Sequence, residues 1–558
     1  MTAGLSVVEA SIGELRQALE SGRVTSVELT RRYLDRIATY DHAGIRLNAV
    51  PVLNPAALAD AAASDRRRAR GETLGPFDGI PYTAKDSYKA RGLSVAAGSP
   101  AFADLIATDD AFVISRLRAA GAVLLGLTTM PPMANGGMQR GLYGRAESPY
   151  NAQFLTSAFG SGSSNGSGTA TAASFCAFGL AEETWSSGRA PAANNGLVAY
   201  TPSRGVISVR GNWPLVPTMD VVVPHTRSVA DLLELLNVIV ADDPDTTGDL
   251  WRTQDAVRIP SASSVRPRDY TALRVGASVA GMRFAVPRMY IGGGQDSANP
   301  IHTRESFLEL FAGLRSRLEA EGAVVIDTDF PIVENEEELY PHSRSAVSRG
   351  LLPAEFDERE LWDLSIWAWD TFLRVNAQEG LDRLALVDGS QIFPQPEGAL
   401  PDRYGRYDFD ISAYPARAAA GVSAWNEIPS IGEGMRGLET VRRIDFEQWM
   451  DDLGVDAVLF PTVADIGPAD SDVNPESADK AWANGVWVAN GNLVPRRYGI
   501  PMVQLPMGLA SDIGMPAGVT VAGRAYDDSR LLRTAAALEA LCPGRMVPPR
   551  TPALPGDE

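Results

Sequence analysis

The stretch Ala111-Phe-Val-Ile-Ser-Arg-Leu-Arg-Ala-Ala-Gly-Ala-Val-Leu-Leu-Gly-Leu127 carries the pattern that decides the fold. Residues 111–120 predict a helix, and the apolar run at 122–127 predicts a buried strand. The order strand, helix, strand returns at 283–286, 304–321 and 323–326. Continuous apolar strands that alternate with helices are typical of a mainly parallel sheet covered on both faces. We therefore predict an α/β fold.

Further elements flank this pattern. Ser11-Ile-Gly-Glu14 and Thr25-Ser-Val-Glu28 both fit capping boxes, so each predicts the start of a helix. Other predicted elements are a helix at 55–70, strands at 455–460, 502–506 and 518–522, a helix at 529–541 and an extended, proline-rich tail. Between about 330 and 445 the predicted helices are interrupted by prolines. This segment is rich in aromatic residues, among them Trp362, Trp367, Trp369, Phe372, Tyr404, Tyr407 and Phe409. We expect it to shape a pocket, although aromatic residues at such spacing also fit an ordinary core.

Composition limits the function. The chain has 558 residues and a formal net charge of −19, which disfavours binding to nucleic acid or to anionic lipid. It has no apolar run long enough to span a bilayer and no secretory leader, so we expect no membrane association and a cytoplasmic location. Two cysteines and four histidines show no metal-ligand spacing. We expect neither a metal nor another cofactor.

Lysine is rare in this chain. Of 50 basic residues, three are lysines, namely Lys85, Lys89 and Lys480. Arginine stays protonated in proteins, whereas a buried lysine can lose its proton and act as a base. Lys85 follows the apolar run at 80–84 and is therefore a candidate base, while Lys89 is expected at the surface. The alternative is that arginine excess reflects coding bias and that Lys85 is an ordinary surface cation.

The stretch Phe159-Gly-Ser-Gly-Ser-Ser-Asn-Gly-Ser-Gly168 has an unusual composition. A flexible linker is disfavoured because apolar residues resume directly after it, and a phosphate-binding loop would need a lysine that is missing. A catalytic loop of serine hydroxyls and backbone amides fits better. Gly162-Ser-Ser-Asn-Gly166 also fits G-x-S-x-G, with Ser164 as the nucleophile, but that elbow requires a preceding strand and a histidine partner.

A third motif follows about two dozen residues later, Glu183-Thr-Trp-Ser-Ser-Gly-Arg-Ala-Pro191. Together with the lysine segment and the Gly/Ser loop, in this order, it resembles the amidase signature family. The resemblance implies one α/β/α domain over residues 1–558, with a central mixed, mostly parallel, twisted sheet covered by helices on both faces. Its core would be about 25–330 and 445–541, with 330–445 as a helical insertion.

The resemblance also implies a Ser-cisSer-Lys triad. Ser187 would be the nucleophile, Ser163 a proton relay after a cis Gly162–Ser163 bond, and Lys85 the base. The oxyanion hole would be the backbone N–H groups of Thr184, Trp185, Ser186 and Ser187. Ser164, Glu183 and Arg189 would support the loop, and Met133, Ala134 and Asn135 would contact substrate.

The chain departs from the family pattern at Trp185-Ser186, where two glycines are expected. Trp185 could narrow the pocket, and Ser186 becomes an alternative nucleophile, although spacing favours Ser187. We expect an amidase that hydrolyses a non-peptide C–N bond of a small-molecule amide. Ester or carbamate hydrolysis, acyl transfer, a non-catalytic homologue and an amidotransferase subunit remain open alternatives. We also expect a homodimer.

Overall fold

The computed structural model describes residues 5–405, 408–485, 489–542 and 544–557. Its centre is one sheet of eleven strands. In chain order the strands are β1 (Val52–Leu53), β2 (Pro81–Lys85), β3 (Val123–Thr128), β4 (Phe178–Glu183), β5 (Val198–Thr201), β6 (Val221–Thr226), β7 (Arg283–Pro287), β8 (Val324–Thr328), β9 (Ala457–Pro461), β10 (Met502–Leu509) and β11 (Pro516–Ala522). The prediction of one large α/β domain is confirmed, and every strand predicted from an apolar run is present.

The strand order is β1-β3-β2-β4-β6-β5-β10-β11-β9-β7-β8. The sheet is mixed, as predicted, but "mostly parallel" is wrong for the described strands. Parallel pairs join β2 to β3 and β4, and β7 to β8 and β9, whereas the other six pairs are antiparallel. Part of the reason is local: the short connection at 510–515 allows β10 and β11 to pair only as an antiparallel hairpin.

Both faces of the central strands are covered. Every residue of β2, β3, β6, β9 and β11 is buried. Because successive side chains of a strand point to opposite faces, complete burial requires packing on both sides of the sheet. Part of the outer strand β8 is exposed, as expected at a sheet edge.

Helices and short 3₁₀ or π turns fill the connections. The α-helices are α1 (Ile12–Glu20), α2 (Ser26–Arg36), α3 (Ala57–Ala69), α4 (Phe112–Ala119), α5 (Asn165–Ala172), α6 (Arg189–Asn194), α7 (Val229–Ile239), α8 (Leu250–Thr253), α9 (Ala262–Val265), α10 (Glu305–Ala320), α11 (Pro331–Glu336), α12 (Phe356–Glu358), α13 (Ser365–Asn376), α14 (Tyr414–Ala419), α15 (Ile431–Arg442), α16 (Trp449–Leu453), α17 (Pro475–Ala481), α18 (Val494–Arg497) and α19 (Asp528–Glu539). Both capping boxes form as predicted, at Ser11 with Glu14 and at Thr25 with Glu28.

The topology brings the sequence motifs together. Strand β2 ends at Lys85, and its parallel neighbour β4 ends at Glu183, with Ala84 opposite Leu180. The carboxyl ends of parallel strands meet at one edge of a sheet, which is where ligands bind in open α/β folds. The lysine segment and the Glu183–Pro191 motif therefore share this edge.

The aromatic segment at 330–445 packs against this same region of the molecule. Trp369 stacks on Trp213 with ring centroids 5.8 Å apart, and Phe372 meets the same indole edge-on at 3.9 Å. Most of its aromatic residues therefore form a core, while Tyr404 and Phe409 line a cavity described below. Tyr407, singled out from the sequence, lies outside the described residues.

A buried arginine contacts the tail at residues 551, 552 and 557. Residues 544–557 contain neither helix nor strand. Arg36, at the end of α2, is completely buried, and its guanidinium donates to Asp557 at 2.7 Å and to the carbonyls of Thr551 and Pro552 at 2.9 Å. It also donates to the carbonyl of Ser174, just beyond α5. This side chain therefore ties the tail to the helix that follows the Gly/Ser loop.

We predict that Arg36→Met lowers the free energy of unfolding by about 3 kcal/mol, because several buried acceptors lose their donor. Urea unfolding measures this change, and limited proteolysis should cut the tail faster. Arg31→Met, at an exposed position of the same helix, is the control and should change stability by less than about 0.5 kcal/mol. Equal stability of the two variants would contradict the assignment.

Candidate active site

Lys85 is the last residue of β2 and is fully buried. Its ammonium donates a hydrogen bond to Ser163 Oγ at 2.7 Å. Burial lowers the pKa of Lys85 from 10.5 to about 8, and the nearby carboxylate of Glu182 opposes this shift. The alternative of a solvated surface cation is therefore wrong for Lys85.

The serine loop is fastened to the end of β4. Ser164 Oγ donates to the carbonyl of Glu182 at 2.9 Å, and the Ser164 N–H donates to the carbonyl of Ser187 at 3.3 Å. Helix α5 starts directly afterwards, and a Cβ at Gly166 would lie 2.5 Å from the Thr129 backbone nitrogen. The loop thus needs glycine there in order to pack against the end of β3.

The structure does not form a nucleophile elbow at Ser164. Residues 151–158 contain no strand, and Ser164 Oγ is engaged by the backbone of Glu182. His225 contacts Ser167 Oγ at 3.1 Å and the Gly188 carbonyl at 2.9 Å instead. Burial lowers the pKa of His225 to about 4, so its ring stays neutral and supports the loop.

The expected cis bond between Gly162 and Ser163 is absent, since every peptide bond among the described residues is trans. The sequence prediction is wrong on this point. A trans bond is the lower-energy form for a non-proline residue, and here it still leaves Ser163 Oγ within hydrogen-bond distance of Lys85.

The neighbouring serines Ser186 and Ser187 differ in their surroundings. Ser186 is completely buried, and its Oγ lies 2.6 Å from Ser161 Oγ and donates to the Ser161 carbonyl at 2.9 Å. Ser187 lines a cavity together with Trp185. Within the described part of the chain, no hydrogen bond joins the side chains of Ser163 and Ser187. Their segments meet through the backbone bond from Ser164.

Glu183 and Arg189 form a buried ion pair under the turn between β4 and α6. Arg189 Nε lies 2.9 Å from Glu183 Oε1, while Glu183 Oε2 accepts from the N–H groups of Gly188 and Arg189 at 3.0 and 2.9 Å. Arg189 also donates to the carbonyl of Trp185 at 2.8 Å. These bonds fix both ends of the turn that contains Ser187.

The sequence analysis missed Glu182. Its carboxylate lies 3.8 Å from Lys85 Nζ, and burial raises its pKa. It accepts from Ser87 Oγ and, at 2.5 Å, from Asn212 Nδ2. One signal was available: two successive glutamates end the otherwise apolar strand at 178–183. A carboxylate at the end of a buried strand is a candidate functional group.

Of the predicted substrate contacts, Ala134 and Asn135 line the cavity of Ser187. Met133 does not belong there; it is buried, and its sulfur accepts from Trp213 Nε1 at 2.7 Å. The backbone explains the difference, because Met133 and Ala134 both have positive φ and the chain turns sharply. The other lining residues are Gly136, Gly160, Ser161, Thr184, Trp185, Leu215, Val216, Tyr404 and Phe409.

A second cavity lies on the lysine side of the turn. Lys85, Glu182, Asn212 and Asp220 contribute its polar groups, and Ala134, Thr184 and Leu215 line both cavities. Burial raises the pKa of Asp220 to about 7. The turn at 184–187 therefore stands between the cavity that contains Ser187 and the cavity that contains Lys85 and Glu182.

Lys89, expected at the surface, is buried. Its ammonium forms an ion pair with Asp109 and lies 5.9 Å from the ring centre of Phe372. The backbone explains this burial, because Lys89 N–H donates to the Gly211 carbonyl and its own carbonyl accepts from Ala111. The residue is thereby enclosed between two loops.

Neither a metal site nor a membrane span is found among the described residues. No group of three or more His, Cys, Asp or Glu side chains in the described ranges is arranged to hold a metal ion. Among the same residues, no helix combines the length and apolar character needed to cross a bilayer.

Comparison with known proteins identifies relatives. A glutamyl-tRNA(Gln) amidotransferase subunit from Cereibacter sphaeroides is 28% identical over 538 residues, covering 95% of this chain and 96% of the relative. The protein of the same name from Methylobacillus flagellatus is 34% identical over 293 residues, which is 52% of this chain and 55% of that protein's length.

Among solved structures, native peptide amidase from Stenotrophomonas maltophilia has a TM-score of 0.73 at 26% identity, covering 97% of this chain and 98% of that one. The family model described as Amidase matches residues 28–364, which is more than half of the chain. The resemblance inferred from the three motifs is thereby confirmed, and the chain belongs to the Amidase family of amidase signature proteins.

Proposed function

We propose that this protein hydrolyses a carboxylic amide through an acyl-enzyme, with Ser187 as nucleophile, Ser163 as proton relay and Lys85 as base. The observation that carries the proposal is the 2.7 Å hydrogen bond between a fully buried Lys85 and Ser163, at the edge of the sheet where Ser187 faces a cavity. A buried amine with a lowered pKa is the group that a serine hydrolase lacking a catalytic histidine needs.

The proposed reaction has two halves. Ser187 attacks the amide carbonyl while its proton passes to Ser163, and the Ser163 proton passes to neutral Lys85. The same relay returns a proton to the departing amine, which leaves the acyl group on Ser187. Water then attacks the acyl group while the relay takes its proton, and the relay passes that proton to the Ser187 oxygen as the acid is released. Ser163 suits this role because a hydroxyl donates and accepts at once.

The hydrogen bond needed for proton transfer from Ser163 to Lys85 is already present, whereas transfer from Ser187 to Ser163 requires a movement. The side chains of Ser163 and Ser187 must approach to hydrogen-bond distance when substrate binds. Catalytic hydrogen bonds are often long before substrate binds and shorten in the complex. The backbone bond from Ser164 to the Ser187 carbonyl keeps the two segments adjacent, so a side-chain rotation is the movement we infer.

Backbone amides of the turn would stabilise the oxyanion. The N–H groups of Ser186 and Ser187 donate to no acceptor among the described residues, so they are available to a ligand. An oxyanion donor contributes about 10²–10³ in rate.

Trp185 stands in the position of the expected glycine, and its ring meets Tyr404 edge-on at 6.5 Å in the wall of the cavity. We propose that these rings bound the acyl site.

We predict that Ser187→Ala abolishes covalent labelling by a fluorophosphonate, because this probe captures the nucleophilic oxygen. Lys85→Ala and Ser163→Ala should lower the labelling rate by about 10²–10⁴-fold, since they remove the base and its relay. Gel fluorescence and mass spectrometry of the labelled peptide measure the outcome.

Ser186→Ala is the matched control, because it removes a hydroxyl one residue away that is bonded to Ser161. It should retain labelling, and thermal unfolding should show all four variants folded. Labelling that persists in Ser187→Ala and disappears in Ser186→Ala would reassign the nucleophile. No labelling of the wild type would favour a non-catalytic homologue.

The labelling rate should also rise with pH and level off above about pH 9. Lys85 acts as a base only when neutral, and its pKa of about 8 means that the neutral fraction grows as pH rises through that value. The extent of labelling after fixed reaction times, at pH values between 5 and 10, measures this profile. A rate independent of pH over this range would argue against Lys85 as the base.

A second candidate function is suggested by the relatives that cover nearly the whole chain. Because these relatives are named as subunits of an amidotransferase, the same triad could release ammonia from an amide for a partner protein. This candidate predicts glutamine hydrolysis that a co-purifying partner stimulates. A screen of simple amides, peptide amides, esters and glutamine, with and without added amine acceptors, separates it from free amide hydrolysis and from acyl transfer.

A further inference from the structure

The proposed mechanism does not use Glu182, although its carboxylate is the acidic group paired with Lys85 among the described ion pairs. We propose that Glu182 is a positioning residue for the reaction: its carboxylate stabilises the ammonium form of Lys85 and thereby sets the pH at which this lysine becomes a base. This inference rests on the proposed role of Lys85.

The register of the sheet places the two groups together. Ala84 on β2 lies opposite Leu180 on β4, so Lys85 and Glu182 follow at the same edge of the sheet. Glu182 Oε2 is 3.8 Å from Lys85 Nζ, within the range of an ion pair. Both groups line the same cavity beside the turn, and charges at this separation interact more strongly in a partly buried site than in bulk water.

Two neutral donors hold the carboxylate in place. Asn212 Nδ2 donates to Oε1 at 2.5 Å, and Ser87 Oγ donates to Oε2. The backbone of Glu182 is held as well, because Ser164 Oγ both donates to its carbonyl and accepts from its N–H. The same residue therefore touches the serine loop through its backbone and the lysine through its side chain.

Other charged groups face Lys85 but are engaged elsewhere. Asp220 accepts from Thr184 Oγ1 at 2.6 Å and from the Leu215 N–H at 2.9 Å. Glu183 is paired with Arg189, and His225 is neutral at working pH. Asp220 and Glu183 act on Lys85 less strongly than Glu182 does. Glu182 is therefore the side chain whose substitution changes the field at the amine most directly.

A carboxylate at this place has two opposite effects on the reaction. It keeps more of Lys85 protonated at neutral pH, which lowers the fraction of active enzyme. It also stabilises the ammonium that forms as the relay delivers a proton, which makes Lys85 a stronger base. Removing the charge should therefore shift the pH dependence and lower the limiting rate, two changes that a purely structural role would not produce together.

The test is the pH dependence of fluorophosphonate labelling in Glu182→Gln, with no assumption about the natural substrate. Loss of the negative charge lowers the pKa of Lys85, so the rising limb should move at least about one pH unit to lower pH. The plateau rate should fall by about three- to tenfold, because the base becomes weaker.

Glu334→Gln is the control. Glu334 is a buried carboxylate with a raised pKa on α11 that lines neither cavity, and its variant should keep the wild-type profile.

Glu182→Ser provides a second uncharged side chain in case the buried amide disturbs folding, and it should shift the limb in the same direction. A rising limb unchanged in a folded Glu182 variant, with the rate lowered equally at all pH values, would overturn the inference. The proposed function fails separately, if Lys85→Ala labels at the wild-type rate.

Discussion

The proposed chemistry of the site depends on the burial of one amine, that of Lys85. A lysine at the end of a covered strand loses the water that stabilises its charge, and this desolvation lowers the pKa of Lys85 to about 8. In an exposed position the same side chain would remain an ammonium at neutral pH. The sheet supplies the burial, because β2 lies between two parallel neighbours and all of its residues are covered.

The surrounding groups follow from that placement. The end of β4 lies beside Lys85 and carries two consecutive carboxylates with different partners. Glu183 points to Arg189 and fixes the turn that holds Ser187, whereas Glu182 points to Lys85. The serine loop is fastened to this strand end through Ser164. The end of β4 therefore contacts all three parts of the site: the serine loop, the turn that contains Ser187, and Lys85.

The sequence predicted the α/β class, the capped first helices and the three motifs of the family resemblance, because these depend on local periodicity and on short patterns. It did not predict that the middle of the sheet is antiparallel, since strand pairing depends on how distant segments fold back. It misplaced Lys89 and Met133 for a related reason. Burial of Lys89 depends on the loop near Gly211, and Met133 is turned towards Trp213 by a backbone of positive φ. It missed Glu182 because the position of this side chain beside Lys85 depends on the register between β2 and β4.

The ionisation of Lys85 can be measured directly because the chain contains three lysines. Labelling of the lysine ε-carbon with ¹³C should give three NMR signals, and Lys85→Arg identifies the one that belongs to Lys85. The account predicts that this signal titrates near pH 8, well below the ordinary lysine value of 10.5. A Lys85 signal that titrates at its ordinary value near 10.5 would show a permanently charged ammonium at neutral pH and contradict the account.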